Sequence, residues 1–125
     1  MDEEENIRKE LQSLQKDVLA ILIYGSMAKG KENKRSDIDI CLVAPDSNLK
    51  ELYKKMLPLV KEKYDIKIFE DMPLFLKIEV IKNHKIVYTR NIYDLYEYFY
   101  RFRKIWKDQQ HRQKLSKEDA KRLFE

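Results

Sequence analysis

The hydrophobic pattern divides the chain into short apolar runs and longer amphipathic stretches. Residues 18–24 form a continuous apolar run that is shorter than a typical helix. Residues 37–44 alternate acidic and apolar positions before becoming fully apolar. Both segments are typical of central strands, because a strand buried on both faces needs few polar positions. Residues 64–69 alternate and predict a third strand, and residues 85–89 predict a short fourth strand at a sheet edge.

Apolar residues at helical spacing separate these predicted strands. Residues 3–16 predict a first helix with acidic residues in its first turn. A second helix is predicted after Ser47, which is expected to be its N-cap, and Pro58 is expected to kink or end that helix. Pro73 is expected to begin a third helix.

The C-terminal quarter of the sequence predicts two further helices. A long helix is predicted from Ile92 to about Gln113, and Ser116 is expected to cap a short final helix. Helices and strands in this order indicate an α/β (α+β) fold with a small mixed sheet of about four strands flanked by helices. We expect residues 1–125 to form a single domain, with a core at about 15–90 and a helical segment at about 92–124.

Composition narrows the class of protein. The chain has 125 residues, of which 43% are hydrophobic and 38% are charged, which favours one folded domain with a strongly charged surface. Cys41 is the single cysteine and lies inside an apolar run, so it predicts a buried, reduced thiol and a cytoplasmic protein. No apolar segment approaches the ~18 residues that span a bilayer, and the acidic start is unlike a signal peptide.

The positive charge is concentrated at the C-terminal end. Residues 101–125 contain nine Lys and Arg against four acidic residues, within a chain whose net charge is +4. A basic helix of this kind suits an acidic protein face or a nucleic acid, but a solvated helix surface explains it more simply. Nucleic acid is therefore not expected as a partner, and neither is a membrane.

Two acidic residues open the second predicted strand. Asp37 and Asp39 would lie on one face about 7 Å apart, where their charges repel unless a cation neutralises them. Carboxylate oxygens favour Mg²⁺ or Mn²⁺. Asp65 begins the third strand in the same way and would complete a triad if the two strands are neighbours. The alternative is that these are solvated residues at strand ends. His84 and His111 lack metal-ligand spacing and are expected at the surface.

The first predicted strand ends in Gly25-Ser26. A glycine directly after a buried strand lets the backbone approach a ligand closely, and the amides of a following helical turn favour phosphate. The segment also fits the Gly-x4-Gly-Lys pattern of a P-loop with Gly30 and Lys31. Glu32 then stands where a P-loop needs Ser or Thr to hold its metal, so we reject that reading.

Residues 25–39 resemble a known family signature. Gly-Ser, ten residues and Asp-x-Asp are similar to the Gly-Ser-x10-Asp-x-Asp motif of minimal nucleotidyltransferases of the DNA polymerase β superfamily. Residues 64–68 (Tyr-Asp-Ile-Lys-Ile) resemble the strand that carries the third carboxylate of that family. The resemblance covers about residues 15–90 and implies a polymerase-β-like nucleotidyltransferase fold.

The resemblance also implies an activity and a set of site residues. It implies a metal-dependent enzyme that transfers AMP from ATP to a hydroxyl and releases pyrophosphate. Asp37, Asp39 and Asp65 would be both the catalytic residues and the ligands of two Mg²⁺ ions, with Mn²⁺ as an alternative metal. The nucleotide-binding residues that it implies are Gly25, Ser26, Lys29, Arg35 and Ser36.

Minimal members of this family typically pair with a helical HEPN-domain protein. The resemblance therefore implies the antitoxin of a type VII-like toxin–antitoxin pair, which adenylylates a tyrosine of a HEPN toxin. The aromatic residues of the long predicted helix exceed what one packed face needs, which favours a homo- or hetero-oligomer through that helix. Two alternatives remain: a small-molecule, antibiotic-type nucleotidyltransferase, and a non-catalytic antitoxin that acts by contact.

Overall fold

The computed structural model describes residues 3–25, 37–60 and 63–123. Within these ranges the strands are β1 (Ala20–Tyr24), β2 (Ile38–Val43), β3 (Tyr64–Ile68) and β4 (His84–Thr89). They form one sheet in the order β3-β2-β1-β4, in which β1 is antiparallel to β2 and β4, and β2 is parallel to β3. This sheet confirms the predicted mixed architecture of about four strands and the edge position of the fourth.

Helices cover both faces of the sheet. They are α1 (Glu3–Glu10), α2 (Leu49–Met56), α3 (Leu74–Lys82) and α4 (Ile92–Leu123), with short 3-10 segments at Gln12–Asp17, Leu57–Leu59 and Phe69–Asp71. Helices α1 and α2 pack on the face that carries Ile21, Ile23 and Ile40. Helices α3 and α4 pack on the opposite face, where Leu22 and Cys41 are fully buried. In the described ranges, no helix is both long and apolar enough to cross a membrane.

Two helix predictions at the N-terminal side of the chain are wrong in detail. The first helix does not continue to residue 16, since a turn at Leu11 is followed by a 3-10 segment. Ser47 is not the cap of α2: the Asn48 side chain accepts a hydrogen bond from Glu51 N at 3.2 Å, while the Ser47 hydroxyl donates to the Asp17 carbonyl. Adjacent residues that can both cap a helix make this assignment ambiguous from sequence.

The predicted break before Ser116 is also wrong. Helix α4 runs without interruption for 32 residues, about 48 Å at 1.5 Å per residue. No glycine or proline occurs in residues 92–123, and a serine inside a helix costs only a fraction of a kcal/mol. A residue that favours a cap therefore does not by itself end a helix.

His84 lies partly inside the fold rather than at the surface. Its Nδ1 is 2.9 Å from the Val80 carbonyl and 3.1 Å from the Ile81 carbonyl, and its ring makes an edge contact with Phe99 at 5.5 Å. The last carbonyls of α3 have no partner within the helix, and the imidazole N–H supplies one. Its role is to join α3 to β4, which corrects the prediction of a surface histidine.

Glu70 connects the sheet to α4. Its Oε1 accepts a hydrogen bond from Ala44 N at 2.8 Å, and its Oε2 accepts one from the Tyr98 hydroxyl at 2.8 Å. The Phe69 ring lies 5.4 Å from Phe99 and 5.3 Å from Phe102. These contacts fix the first half of α4 against the sheet.

Candidate active site

One end of the sheet brings together residues that are far apart in the sequence. In the strand register, Asp39 is opposite Tyr24 of β1 on one side and opposite Asp65 of β3 on the other. Their side chains lie on the face of the sheet that carries Cys41, because residues two apart on a strand share a face. Strands β2 and β3 are therefore neighbours, as the predicted triad requires.

The carboxylates of Asp37, Asp39 and Asp65, here called the carboxylate row, interact electrostatically. Burial raises the pKa of Asp39, and the negative charges of Asp65 and, to a smaller degree, Asp37 raise it further, while Lys67 lowers it. Asp37 is exposed immediately before β2, and Asp39 and Asp65 are partly exposed. The three predicted acidic residues thus share one region of negative charge that opens to solvent.

Gly25 closes one side of this region. Its φ is +75°, and a Cβ placed on it would lie 2.4 Å from Asp39 Oδ2. A larger residue would need both a left-handed backbone and displacement of the carboxylate. The glycine at the end of β1 therefore lies directly against one of the predicted catalytic residues.

Lys67 is a charged neighbour that the sequence interpretation missed. Its Nζ is 3.6 Å from Asp65 Oδ2, and both side chains are substantially exposed. The signal was present in the sequence, because Lys67 follows Asp65 by two residues in a strand and must share its face.

Tyr24 is the second residue that was missed. It is 5% exposed, and its hydroxyl is buried without a hydrogen-bond partner among the described residues. Burial raises its pKa, with further contributions from the charge of Asp39 and then from Cys41 and Asp65. The sequence placed Tyr24 in a buried strand but gave no sign that its hydroxyl would lack a hydrogen-bond partner among the described residues.

The acidic residues fit a hard divalent cation by donor type. Carboxylate oxygens are the ligands that Mg²⁺ and Mn²⁺ prefer, and a cation would remove the repulsion that raises the pKa of Asp39. Within residues 3–25, 37–60 and 63–123, however, no three His, Cys, Asp or Glu side chains converge closely enough to hold a metal. In this structure Asp39 Oδ2 lies against Gly25, and Asp65 Oδ2 lies beside Lys67.

Four of the predicted nucleotide-binding residues lie outside the described residues. They are Ser26, Lys29, Arg35 and Ser36. Gly25 is the one member of that set whose surroundings the structure describes.

With this geometry in place, comparison with known proteins identifies the class. Residues 5–93 match the model of the family described as polymerase beta, nucleotidyltransferase, so the chain belongs to that family of enzymes. The resemblance drawn from the Gly-Ser-x10-Asp-x-Asp pattern is confirmed. Among curated proteins, a candidate protein adenylyltransferase of Methanocaldococcus jannaschii is 53% identical over 95 residues, which cover 76% of this chain and 75% of that protein.

Solved structures confirm the fold. A chain from the crystal structure of a toxin–antitoxin with AMP-PNP superposes with a TM-score of 0.68 at 22% identity, over 95% of this chain and 98% of that one. A chain from the structure of tri-AMPylated Shewanella oneidensis HEPN toxin in complex with MNT antitoxin gives 0.64 at 20% identity, over 94% of each chain. The likeness extends over α4 as well as the sheet, because it covers nearly the whole chain.

Proposed function

We propose that this chain transfers AMP from ATP to a tyrosine hydroxyl of a HEPN toxin, for which it is the antitoxin, and releases pyrophosphate. The observation that carries the proposal is the in-register pair of Asp39 and Asp65 beside the turn at Gly25. The relative named as a candidate protein adenylyltransferase supports AMP transfer to a protein. The structures with AMP-PNP and with an AMPylated HEPN toxin support the nucleotide and the acceptor.

Asp37, Asp39 and Asp65 would hold two Mg²⁺ ions in this proposal. When bound, such ions neutralise the triphosphate and lower the pKa of the acceptor hydroxyl. The carboxylates carry the charge that recruits the ions, and their repulsion in the free protein is the cost of keeping that charge together. Mn²⁺ has the same preference for oxygen ligands and is expected to substitute.

The remaining site residues position the nucleotide. The backbone at Gly25 would approach the phosphates closely, and Ser26 would donate its hydroxyl to a phosphate oxygen. Lys29, Arg35 and Ser36 would bind the triphosphate. The tyrosine oxygen of the acceptor then attacks the α-phosphorus of ATP, and Asp65 takes the proton of the attacking hydroxyl. The bond between the α-phosphorus and the oxygen that bridges it to the β-phosphate breaks, and pyrophosphate leaves. We place this reaction in the cytoplasm, where ATP is available and a cysteine stays reduced.

Helix α4 supplies the surface for the partner in this proposal. Tyr93, Tyr96 and Tyr100 are 82%, 51% and 62% exposed and follow each other at helical spacing. Beyond Trp106 every described side chain is exposed, and most of the charged ones are Lys or Arg. An exposed aromatic stripe that continues into a basic helix suits an interface with an acidic protein face.

The test is incubation of the protein with ATP, Mg²⁺ and a candidate HEPN partner from the same organism. ATP labelled at the α-phosphate should label the partner, whereas ATP labelled at the γ-phosphate should not, because AMP and not phosphate is transferred. Asp39→Asn should abolish labelling, and Asp46→Asn, a change at an exposed residue away from the row, should not.

The two alternatives predict different results, one for labelling and one for neutralisation of the toxin. A small-molecule nucleotidyltransferase would label a hydroxylated small acceptor in the absence of any partner protein. A non-catalytic antitoxin would still neutralise the toxin after Asp39→Asn. Labelling of the partner that persists in Asp39→Asn would refute the proposed use of the site.

A further inference from the structure

The buried hydroxyl of Tyr24 has no evident use in the free protein. The side chain is 5% exposed, and the oxygen finds no hydrogen-bond partner in the described part of the chain. A buried hydroxyl without a partner lowers stability, so such groups are rare and call for an explanation. A hydrogen bond that forms only in another state of the site would explain such a group.

The neighbours of Tyr24 limit what that bond can be. Tyr24 is opposite Asp39 in the strand register, and the acidic residue that most affects it is Asp39. Because the phenol stays protonated at neutral pH, its hydroxyl is a donor that needs an acceptor oxygen. The atom is buried, so a neighbouring side chain can reach it more readily than a ligand from solvent.

Asp39, the carboxylate opposite Tyr24 in the strand register, is the candidate acceptor. In the free protein its Oδ2 lies against Gly25, and no metal-binding group of three His, Cys, Asp or Glu side chains is formed among the described residues. For Asp39 to act with Asp65 on one metal, the two carboxylates must be brought into a shared orientation. Residues that hydrogen-bond to a ligating carboxylate fix its orientation and raise metal affinity.

We propose that Tyr24 is a positioning residue whose hydroxyl donates a hydrogen bond to the Asp39 carboxylate when the metal and the nucleotide bind. One carboxylate oxygen is then held by the phenol and the other is free for the metal. The inference rests on the proposed function, since it assumes that Asp39 binds the metal that accompanies ATP.

Tyr64 provides a matched control for removal of a buried phenol hydroxyl. It is also 5% exposed and lies in a strand, but it packs on the opposite face of the sheet and its hydroxyl is hydrogen-bonded to Glu10. Tyr24→Phe and Tyr64→Phe therefore remove the same atom from two similarly buried positions, of which only the second has a hydrogen-bond partner among the described residues.

The test compares two measurements on both variants. In the ligand-free protein, Tyr24→Phe should leave the melting temperature unchanged or raise it by about 1–4 °C, since an unpaired polar atom is removed. Tyr64→Phe should lower the melting temperature. With a non-hydrolysable ATP analogue present, Tyr24→Phe should weaken Mn²⁺ binding about 10- to 100-fold, and Tyr64→Phe should leave it unchanged.

Other outcomes overturn the inference. A melting temperature that falls in Tyr24→Phe as it does in Tyr64→Phe would indicate a structural role. Unchanged Mn²⁺ affinity in Tyr24→Phe, or no Mn²⁺ binding by the wild type, would also contradict it. Failure of the proposed function is distinguishable, because Mn²⁺ and nucleotide would then bind with the expected difference between variants while no AMP reached a HEPN partner.

Discussion

At the scale of single residues, the carboxylate of Asp39 is unfavourable for the stability of the free protein but suited to ligand binding. Its carboxylate lies partly buried against Gly25 and opposite Asp65, and both burial and the neighbouring charges raise its pKa. Keeping Asp39 ionised at neutral pH therefore lowers the stability of the free protein. A nonfunctional strand end would favour a neutral residue here, which supports a role for the carboxylate in ligand binding.

Asp39→Asn should raise the stability of the ligand-free protein at neutral pH. The pKa of Asp39 in the folded state is raised above its ordinary 3.8. At pH values between the ordinary pKa and the raised pKa, the native state therefore binds more protons than the unfolded state. The wild type therefore loses stability as pH rises through this window, and the variant does not. Thermal unfolding from about pH 3 to pH 8 should give a difference that is largest at neutral pH and absent below the ordinary pKa.

Asp46→Asn, a change from the same residue type at an exposed position, is the control for this series. An Asp39→Asn variant that is less stable than the wild type at neutral pH would show that the carboxylate supports the fold.

Gly25→Ala should destabilise the protein and reduce AMP transfer. The left-handed backbone at φ +75° costs about 1–2 kcal/mol for a residue with a Cβ, and that Cβ would press on Asp39 Oδ2. A double-mutant cycle with Asp39→Ala separates the two effects. Chemical denaturation should show that Gly25→Ala costs less when Asp39 is absent; equal costs in both backgrounds would mean that the contact carries no energy.

Lys67→Met should tighten Mn²⁺ binding modestly. The Lys67 ammonium lies 3.6 Å from Asp65 Oδ2 and competes with a cation for that oxygen. Because the pair is exposed, we expect a change of only about two- to five-fold by titration calorimetry. Lys63→Met is the control, because Lys63 lies immediately before the same strand but is paired with Glu3 at 2.5 Å. Unchanged or weaker Mn²⁺ binding in Lys67→Met would contradict competition between the lysine and the cation.

At the scale of elements, α4 has two parts with different roles. Its first part packs on the sheet through Leu95 and Phe99, and beyond Trp106 its described side chains are exposed. Most of the stability of a helix in a protein comes from packing of one face, so the exposed part beyond Trp106 is expected to gain stability from a partner. The two parts can be tested with neighbouring aromatic residues.

Phe99→Ala and Tyr100→Ala should affect different properties. Phe99 is 1% exposed and packs on Phe69, so its truncation should cost about 3–5 kcal/mol of unfolding free energy. Tyr100 is 62% exposed, so its truncation should leave stability within about 0.5 kcal/mol but weaken binding of the HEPN partner. Denaturation curves and a pull-down measure both; unimpaired binding in Tyr100→Ala would place the interface elsewhere.

The elements themselves were largely predictable, and their ends were not. Residues 18–24 and 64–69 gave clear strand patterns because burial imposes apolar positions with the strand period. The predicted helix caps at Ser47 and Ser116 were wrong because a serine tolerates several local structures, and only packing selects one. His84 escaped prediction because its partners are backbone carbonyls of α3, which leave no trace in the sequence.

At the scale of the whole molecule, the site depends on strand order. The sequence placed Asp37 and Asp39 on one strand and Asp65 on another, but the hydrophobic pattern by itself did not show which strands pair. The parallel pairing of β2 with β3 brings Asp39 beside Asp65, and the antiparallel pairing with β1 adds Tyr24. Tertiary register of this kind is not encoded in local periodicity, which is why Tyr24 was missed, whereas Lys67 could have been found from its spacing to Asp65.

In the proposed function, the carboxylate row and helix α4 act on the same partner protein. The row would supply the chemistry and the helix would hold the acceptor protein in place. Removal of either should stop AMP transfer, but only removal of the helix surface should stop binding. This separation is what distinguishes an enzyme that modifies its partner from a protein that neutralises it by contact.

The most direct test of this account is the intact mass of the HEPN partner after incubation with the chain, ATP and Mg²⁺. Wild-type protein should add one or more AMP groups, which fragmentation should locate on tyrosine, and Asp65→Asn should add none while still binding the partner. A partner whose mass is unchanged with the wild type, or equally increased with Asp65→Asn, would contradict the account.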